Sequence, residues 1–491
     1  MKNIKIKVPK SAKGKLLLEY LSGEGIAIHS DCGGRGFCKK CSFKILEGEF
    51  ALSDGSPLVP DENGYALACK AFCTDTDSLI EIMADNEFVS HTLFENADKE
   101  AKFGIALDIG TTTLCARLVD IDSGAIYGEY STLNPQKIYG SDCISRITAC
   151  ENGKLYELHK LIVDATNEII DYFIKGMDIP KIEKLTVCAN TTMLHIFANE
   201  SPVGIGKYPF TPVFLEAREY KGEDLNLMAE KVVLLPSASA YIGSDFVAGI
   251  LECRMLEKDE KSIIIDLGTN GEIAIFDGAN LMTSSTAAGP CFEGGNISCG
   301  MGATSGAISE IKIQDGEIEF VTIGNAEPLG LCGSGLIDGI AYMLDNELID
   351  ETGRLMDEEF NFSPNVKLCA KDIREFQLAK SAICAGIITL IKERNLQNGD
   401  ISTLYIAGAL GEHLNIENAV RVGLIPSELA NKVKIIGNSS LTGAQAALLD
   451  PSYEEKMTLV SRKCKNIDLN NSPIFNDEFM NNMFFEKATF A

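Results

Sequence analysis

Five cysteines of the 491-residue chain, Cys32, Cys38, Cys41, Cys69 and Cys73, fall in one short N-terminal stretch. Four of them are spaced C-x5-C-x2-C-x27-C, in Cys32-Gly33-Gly34-Arg35-Gly36-Phe37-Cys38-Lys39-Lys40-Cys41 and Leu67-Ala68-Cys69. Three thiolates on one tight loop and a fourth from a distant strand can close a four-sulfur cage around two irons. The glycines let the loop fold back so that its N–H groups face cluster sulfur and stabilise the reduced charge. Four cysteines also suit zinc, but zinc knuckles more often bring two C-x2-C pairs, and only one such pair exists here. The metal ligands read from this spacing are Cys32, Cys38, Cys41 and Cys69. Cys73 is a rival for the fourth position, and otherwise a resting core thiol.

A second chemistry is written twice. Ile105-Ala106-Leu107-Asp108-Ile109-Gly110-Thr111-Thr112-Thr113 is an apolar run ending in an acid and a Gly–Thr turn. Ile263-Ile264-Ile265-Asp266-Leu267-Gly268-Thr269-Asn270-Gly271 is a near copy. A turn of Gly, Thr and Asn presents N–H and hydroxyl donors to phosphate oxygens without steric obstruction. An Asp at each strand end can hold Mg²⁺, directly or through water, and can orient an attacking water. The repetition implies two related subdomains, each opening with a buried strand and a phosphate-facing hairpin, with a nucleotide in the cleft between them. A third string, Tyr405-Ile406-Ala407-Gly408-Ala409-Leu410-Gly411, is a strand running into glycines that could lie against an adenosine. For any one string an ordinary strand–turn explains as much; the pair with the late glycines favours a nucleotide. No G-x-x-x-x-G-K-[ST] occurs, so the chain is not a P-loop protein.

These residues need elements to position them. Ile4, Ile6 and Val8 alternate with lysines, which predicts a half-buried strand. Leu16, Leu17, Tyr20 and Leu21 follow a helical spacing, closed by the Gly-rich stretch 22–25. Short strands are expected at 42–46 and 79–83, giving a mixed sheet with one packed helix. An acidic, helix-like connector over about 88–102 then leads to the repeat.

Composition narrows the partners. Hydrophobic residues make up 45% and charged residues 23%, as in globular proteins. With 44 Lys+Arg against 70 Asp+Glu, the net charge of −26 disfavours nucleic acid and anionic membrane as partners. The longest apolar run, 381–391, is too short to span a bilayer. The N-terminus alternates Ile and Lys in place of a signal-peptide core, so a cytoplasmic location is expected. Cys115, Cys150, Cys188 and Cys384 sit in apolar surroundings and read as small core residues. His29, His91, His159, His195 and His413 have no zinc-like spacing and read as structural or surface residues; His195 is the one to watch, because it follows the Asn190–Met193 loop.

The cysteine stretch resembles the plant-type 2Fe–2S ferredoxins, with one residue more in the first interval than their usual C-x4-C; that match favours Cys69 over Cys73. The repeat resembles the acetate and sugar kinase, actin and DnaK-type chaperone superfamily, whose duplicated ribonuclease-H-like halves close on ATP. By that resemblance Asp108, Gly110, Thr111 and Thr112 fill the first phosphate motif. Asp266, Gly268, Thr269 and Asn270 fill the second, and Gly408 with Gly411 the adenosine motif.

The fusion as a whole resembles the reductive activators of corrinoid proteins, ATP-dependent reductases that return an inactivated cobalt(II) corrinoid to cobalt(I). Supporting strings are Asn134-Pro135-Gln136 with Tyr139-Gly140-Ser141-Asp142, Asn190-Thr191-Thr192-Met193, Ala287-Ala288-Gly289-Pro290, Phe292-Glu293-Gly294, Leu331-Cys332-Gly333-Ser334-Gly335-Leu336-Ile337-Asp338 and Gly437-Asn438-Ser439-Ser440-Leu441. The fold implied is an α+β β-grasp ferredoxin domain followed by an α/β duplicated ribonuclease-H-like (actin-like) ATPase domain. Its expected boundaries are 1–87 for the ferredoxin-like domain, 88–103 for a linker, 104–255 and 256–470 for the two ATPase subdomains, and 471–491 for a C-terminal tail packing on the ATPase domain. Asp108, Asp266 and Glu293 are the catalytic candidates, Glu293 as a water-positioning or metal-linked carboxylate or else a helix cap. Gly110, Thr111, Thr112, Asn190, Thr191, Gly268, Thr269, Asn270, Gly289, Gly408 and Gly411 are the nucleotide-binding candidates. The cofactors implied are a 2Fe–2S cluster, ATP and Mg²⁺. The partners implied are a corrinoid protein of a methyltransferase system and an upstream electron donor, and a homodimer is compatible with the resemblance.

This sequence departs from the family pattern in places. Lys39 stands where the family usually has Gly, Ala189 precedes Asn190 in place of Gly, and Leu410 replaces a common Phe. Longer members carry a linker and a middle domain for which this chain has almost no room. Plant-type clusters sit near −400 mV, and a further drop of ~200 mV to the cobalt couple costs about 5 kcal/mol for one electron. Nucleotide binding or hydrolysis can cover that cost. Three alternatives keep the same parts: an ATP-coupled donor to another low-potential metalloenzyme, a small-molecule kinase with a regulatory cluster, and a redox-sensing nucleotide-binding module.

Overall fold

The computed structural model describes residues 2–24, 26, 28, 34, 36, 39, 41–84, 89–93, 101–314 and 317–485. The chain divides into two compact units, one of residues 1–214 with 218–234, the other of 215–217 with 235–491. The division falls earlier than the expected 255/256. Helix Ser244–Glu252 belongs to the second unit because small residues let it lie flat on helix Ser439–Leu449. A Cβ on Gly443 would meet the Ala248 Cβ at 2.4 Å, and one on Gly249 would meet the Ser439 Oγ at 3.0 Å.

The N-terminal sheet runs in the order Lys2–Val8, Ser78–Ala84, Ser42–Glu47, Tyr65–Leu67. All three pairings are antiparallel, which corrects the expected mixed sheet. The long excursion between Glu47 and Ser78 returns the last strand between the first two, running opposite to both. Helix Leu17–Gly23 buries Leu17, Leu18 and Leu21 against Phe43, Phe50, Ile80 and Ile82.

The internal repeat is a repeat of topology. In the first unit, Phe103–Ile109 lies between Ile182–Ala189, parallel, and Thr113–Asp120, antiparallel. Ala229–Leu234 extends the sheet in parallel on one side, and Ile126–Leu133 extends it antiparallel on the other. In the second unit, Ser262–Leu267 lies between Thr403–Ala407, parallel, and Gly271–Phe276, antiparallel. Val433–Gly437 and Leu281–Thr286 take the same outer places. The two central strands are apolar without alternation because helices cover both faces of such a sheet.

Residues 89–93 correct the expected helical connector. Val89–Leu93 is a strand, paired antiparallel to Ile126–Leu133 at the edge of the first sheet. His91 rests edge-on against Tyr172, and Leu93 occupies space that a Cβ on Gly128 or Gly176 would fill. The acidic character of the segment hid this local packing. Residues 94–100 lie outside the described residues.

In the second unit, Ala370–Glu393 is the buried central helix. Its apolar stretch 381–391 is core packing: a Cβ on Gly271 would stand 2.0 Å from Ile383 Cδ1, so only glycine lets helix and strand meet there. No helix among the described residues is long and apolar enough to cross a membrane. Helix Pro473–Asn481 packs on the central helix, and the chain beyond it is tied down by Gln377 and Lys380, which donate to the Met483 and Phe484 carbonyls. Phe485 is buried.

Candidate functional site

Cys41 precedes strand Ser42–Glu47, and Cys69 follows strand Tyr65–Leu67. These strands pair, and the Ala68 N–H donates to the Cys41 carbonyl at 3.0 Å, so the two buried cysteines are held side by side. The Cys69 side chain, hydrogen-bonded to Cys41, outweighs burial and, with the N–H groups of Cys69, Cys41 and Ala68, draws the Cys41 thiol down to about 7. A thiol already surrounded by donors is suited to metal ligation, which needs the thiolate. Cys73 differs: burial holds its thiol up at about 11. Gly34 and Gly36 take left-handed φ of 79° and 87°, and a Cβ on Gly34 would lie 4.0 Å from the Cys69 Cβ, which places Gly34 beside Cys69. Lys39 also has a positive φ, 58°. That is why glycine suits this position, and lysine holds it at some strain. Cys32 and Cys38 lie outside the described residues, as does His29.

In the first hairpin, Asp108 sits near the end of Phe103–Ile109, opposite Cys188 on one side and Cys115 on the other. The Gly110 N–H donates to the Thr113 carbonyl, and a Cβ on Gly110 would approach that oxygen to 2.8 Å, so the tight turn requires glycine. The turn's carbonyls are gripped from outside. Asn134 Nδ2 donates to Gly110 O at 2.8 Å, the Asn134 N–H to Thr112 O at 2.8 Å, and Arg146 Nη2 to Thr111 O. Ala189 lies opposite Ile109, which brings Asn190 to the same strand ends. Asn190 caps helix Thr191–Phe197 through the Met193 N–H at 2.9 Å. Thr191 is buried beneath it.

In the second hairpin, Asp266 lies opposite Ala407 and Glu272. Thr269 donates both its N–H, at 2.8 Å, and its hydroxyl, at 2.6 Å, to Glu293 Oε1. Glu293 ends the short turn Pro290–Glu293, which begins after Gly289 at φ 77°. Gly408 comes here too: a Cβ on it would stand 2.6 Å from Asp266 Oδ1, and its φ is 87°. Gly411 follows in the short helix Ala409–Glu412. Asp266, Gly268, Thr269, Glu293 and Gly408 are therefore neighbours.

Two groups escaped the sequence reading. Glu272 joins the same carboxylates; burial first, then the charges of Asp266, Asp245 and Glu293, raises its carboxyl well above the usual range. Its only sequence signal is its place directly after the second turn. Arg146, fully buried, had none. His195 and three of the apolar-flanked cysteines sit in the surroundings of packed core residues. His195 Nδ1 faces the Thr191 carbonyl at 2.7 Å while Nε2 accepts the Val213 N–H at 3.0 Å, which fixes a neutral ring. Burial pushes Cys115 up to about 11 and Cys150 and Cys384 up to about 12, as inert thiols require.

Known proteins share this arrangement. Residues 2–74 match the 2Fe-2S iron-sulfur cluster binding domain, 103–258 the RACo middle region, and 260–491 the C-terminal domain of RACo, the ASKHA domain. A solved "Reductive activator for corrinoid,iron-sulfur protein" superposes with a TM-score of 0.72 at 27% identity, covering 97% of this chain and 96% of that one. The chain belongs to the reductive activators of corrinoid proteins. "Corrinoid activation enzyme RamQ" of Eubacterium limosum is 28% identical to this activator, over 96% of each chain. The "[Co(II) methylated amine-specific corrinoid protein] reductase" of Methanosarcina barkeri is 27% identical over 74% of this chain and 72% of its own. The stretch that matches the RACo middle region opens with the first copy of the repeated strand order.

Proposed function

We propose that the protein is an ATP-dependent reductive activator that passes one electron to a cobalt(II) corrinoid protein and restores cobalt(I) for methyl transfer. The observation that carries this reading is the fusion itself: a cysteine pair primed for metal ligation in an iron–sulfur domain, ahead of two copies of one Asp–Gly–Thr hairpin. A 2Fe–2S cluster would supply single electrons at low potential, and MgATP would supply the free energy that offsets an uphill transfer.

The residues divide that work. Cys41 and Cys69, with Cys32 and Cys38, are proposed to hold the cluster, and the N–H groups of Ala68 and Cys69 temper the charge on sulfur. Cys73 stays protonated in the core. Asp108 and Asp266 are proposed to hold Mg²⁺ or a water beside the phosphates, with Thr111, Thr112 and Asn270 offering donors and the Gly110 and Gly268 N–H groups closing the two turns. Glu293 orients Thr269 and stands beside Asp266 as the water-positioning carboxylate. Burial, and then the acids around it, raise the Glu272 carboxyl well above the usual range, which disfavours a further negative charge in a site proposed to accept phosphates. Gly408 leaves Asp266 unobstructed, and Gly411 is proposed to line the adenosine.

The test is a spectral assay. Anaerobically reconstituted protein, an electron donor and MgATP are mixed with a cobalt(II) corrinoid protein while the visible spectrum is followed. Conversion to the cobalt(I) spectrum only when nucleotide is present supports the reading. Phosphorylation of a small molecule, indifferent to the cluster's redox state, would replace it with a kinase.

A further inference from the structure

Residues 134–140 touch two parts of the first unit at once. At one end Asn134 is bonded to the first hairpin, through its side chain to Gly110 O and its N–H to Thr112 O. At the other end Ile138 is buried in the core of the iron–sulfur domain with Leu17, Leu18 and Leu21. Tyr139 donates its hydroxyl to Glu19 Oε1 on the helix of that domain at 3.4 Å, and Lys154 pairs with the same oxygen at 3.6 Å. Burial, then Glu19 and Glu157, pushes the Tyr139 hydroxyl upward, so it stays a donor.

One side chain locks the segment between these ends. The buried guanidinium of Arg146 donates from Nε to Gly140 O at 3.2 Å, from Nη1 to Gln136 Oε1 at 3.1 Å and from Nη2 to Thr111 O. Gln136 is fixed in turn: its N–H donates to Asn134 Oδ1 at 3.0 Å and its Nε2 to Leu158 O at 2.9 Å. Arg146 is aimed by its own helix, Cys143–Ala149, which Asp142 caps through the Ser145 N–H at 2.7 Å. A planar guanidinium can bond in three directions without moving; a lysine amine on a flexible stem cannot.

We propose that the segment 134–140, locked by Arg146, is a strut through which nucleotide on the first hairpin is sensed at the iron–sulfur domain. Arg146 and Gln136 are its positioning residues, and Tyr139 with Glu19 is its far contact. The inference rests on the function proposed above. It adds the route: the turn that meets the phosphates and the domain that holds the electron share one hydrogen-bonded element, so a shift of the Thr111 carbonyl is passed to Gly140 through one rigid group.

The test uses the full-length protein with its cluster, and reads the circular dichroism and electron paramagnetic resonance of the reduced cluster before and after MgATP. Nucleotide affinity is measured separately by calorimetry. Wild-type protein is expected to show a nucleotide-induced change at the cluster. Arg146→Lys is expected to bind nucleotide within about tenfold of wild type, the scale of one lost bond, yet to lose that change. Tyr139→Phe, which removes only one hydroxyl at the far contact, guards against misfolding: it should bind nucleotide as wild type does and show a reduced change. Full cluster responses in both variants overturn the strut. So does a wild-type cluster that ignores nucleotide while corrinoid reduction still depends on ATP, a result that leaves the proposed function intact. Failure to bind nucleotide at all removes both.

Discussion

The two Asp–Gly–Thr hairpins are built on the same strand order and braced with opposite polarity. The first is held by donors, Asn134 and Arg146, that take up the carbonyls of Gly110, Thr111 and Thr112. The second is held by an acceptor, Glu293, that takes up the N–H and hydroxyl of Thr269. A phosphate needs donors. Bracing the first turn by its carbonyls leaves that supply untouched, whereas in the second turn a carboxylate already makes the two bonds a phosphate oxygen would make. The duplicated backbone thus carries two kinds of turn: one braced through its carbonyls, and one whose Thr269 donors are taken by the Glu293 carboxylate.

The largest effect expected is from the acids common to both hairpins. Asp266→Ala should lower ATP-driven cobalt reduction by about 10²–10⁴-fold while leaving the cluster's visible absorption intact. Asp108→Ala should fall in the same range, and near-normal activity there would reduce the first hairpin to scaffold. Glu293→Ala should lower turnover by about 10²-fold and tighten nucleotide binding several-fold, because both Thr269 donors are released. Calorimetry showing weaker binding would break the contrast between the turns. Gly110→Ala should cost about 2 kcal/mol in thermal unfolding, since its Cβ would press on the Thr113 carbonyl at 2.8 Å. Gly268→Ala, whose Cβ would meet nothing closer than 3.5 Å, should change stability by less than about 0.5 kcal/mol. Equal losses would mean that the turns are strained alike. Asn134→Ala should fall between the two glycine variants, at about 1 kcal/mol of stability by denaturant melt.

The legible part of the sequence was what a residue's own type dictates. Ile105–Asp108 and Ile263–Asp266 announce central strands because both faces are buried, and Gly110 and Gly408 announce close approaches that a side chain would block. Cys41 and Cys69 announce each other by spacing. Local type could not show what tertiary contact decides. Val89–Leu93 becomes a strand only because Gly128 and Gly176 make room for Leu93. Helix Ser244–Glu252 joins the second unit only because Gly443 admits Ala248. Arg146 looks like any helix-surface arginine until its three carbonyl and amide partners close around it. Lys39 reads as a departure from a glycine pattern, and its φ of 58° shows what that pattern is for.

The most direct measurement is a single turnover. Protein reduced through its cluster, freed of excess reductant and mixed anaerobically with one equivalent of a cobalt(II) corrinoid protein, should yield cobalt(I) in proportion to cluster when MgATP is added, and almost none without it. Equal yields with and without nucleotide, or a purified protein holding zinc in place of iron, would contradict the coupling of the two halves to the electron carrier.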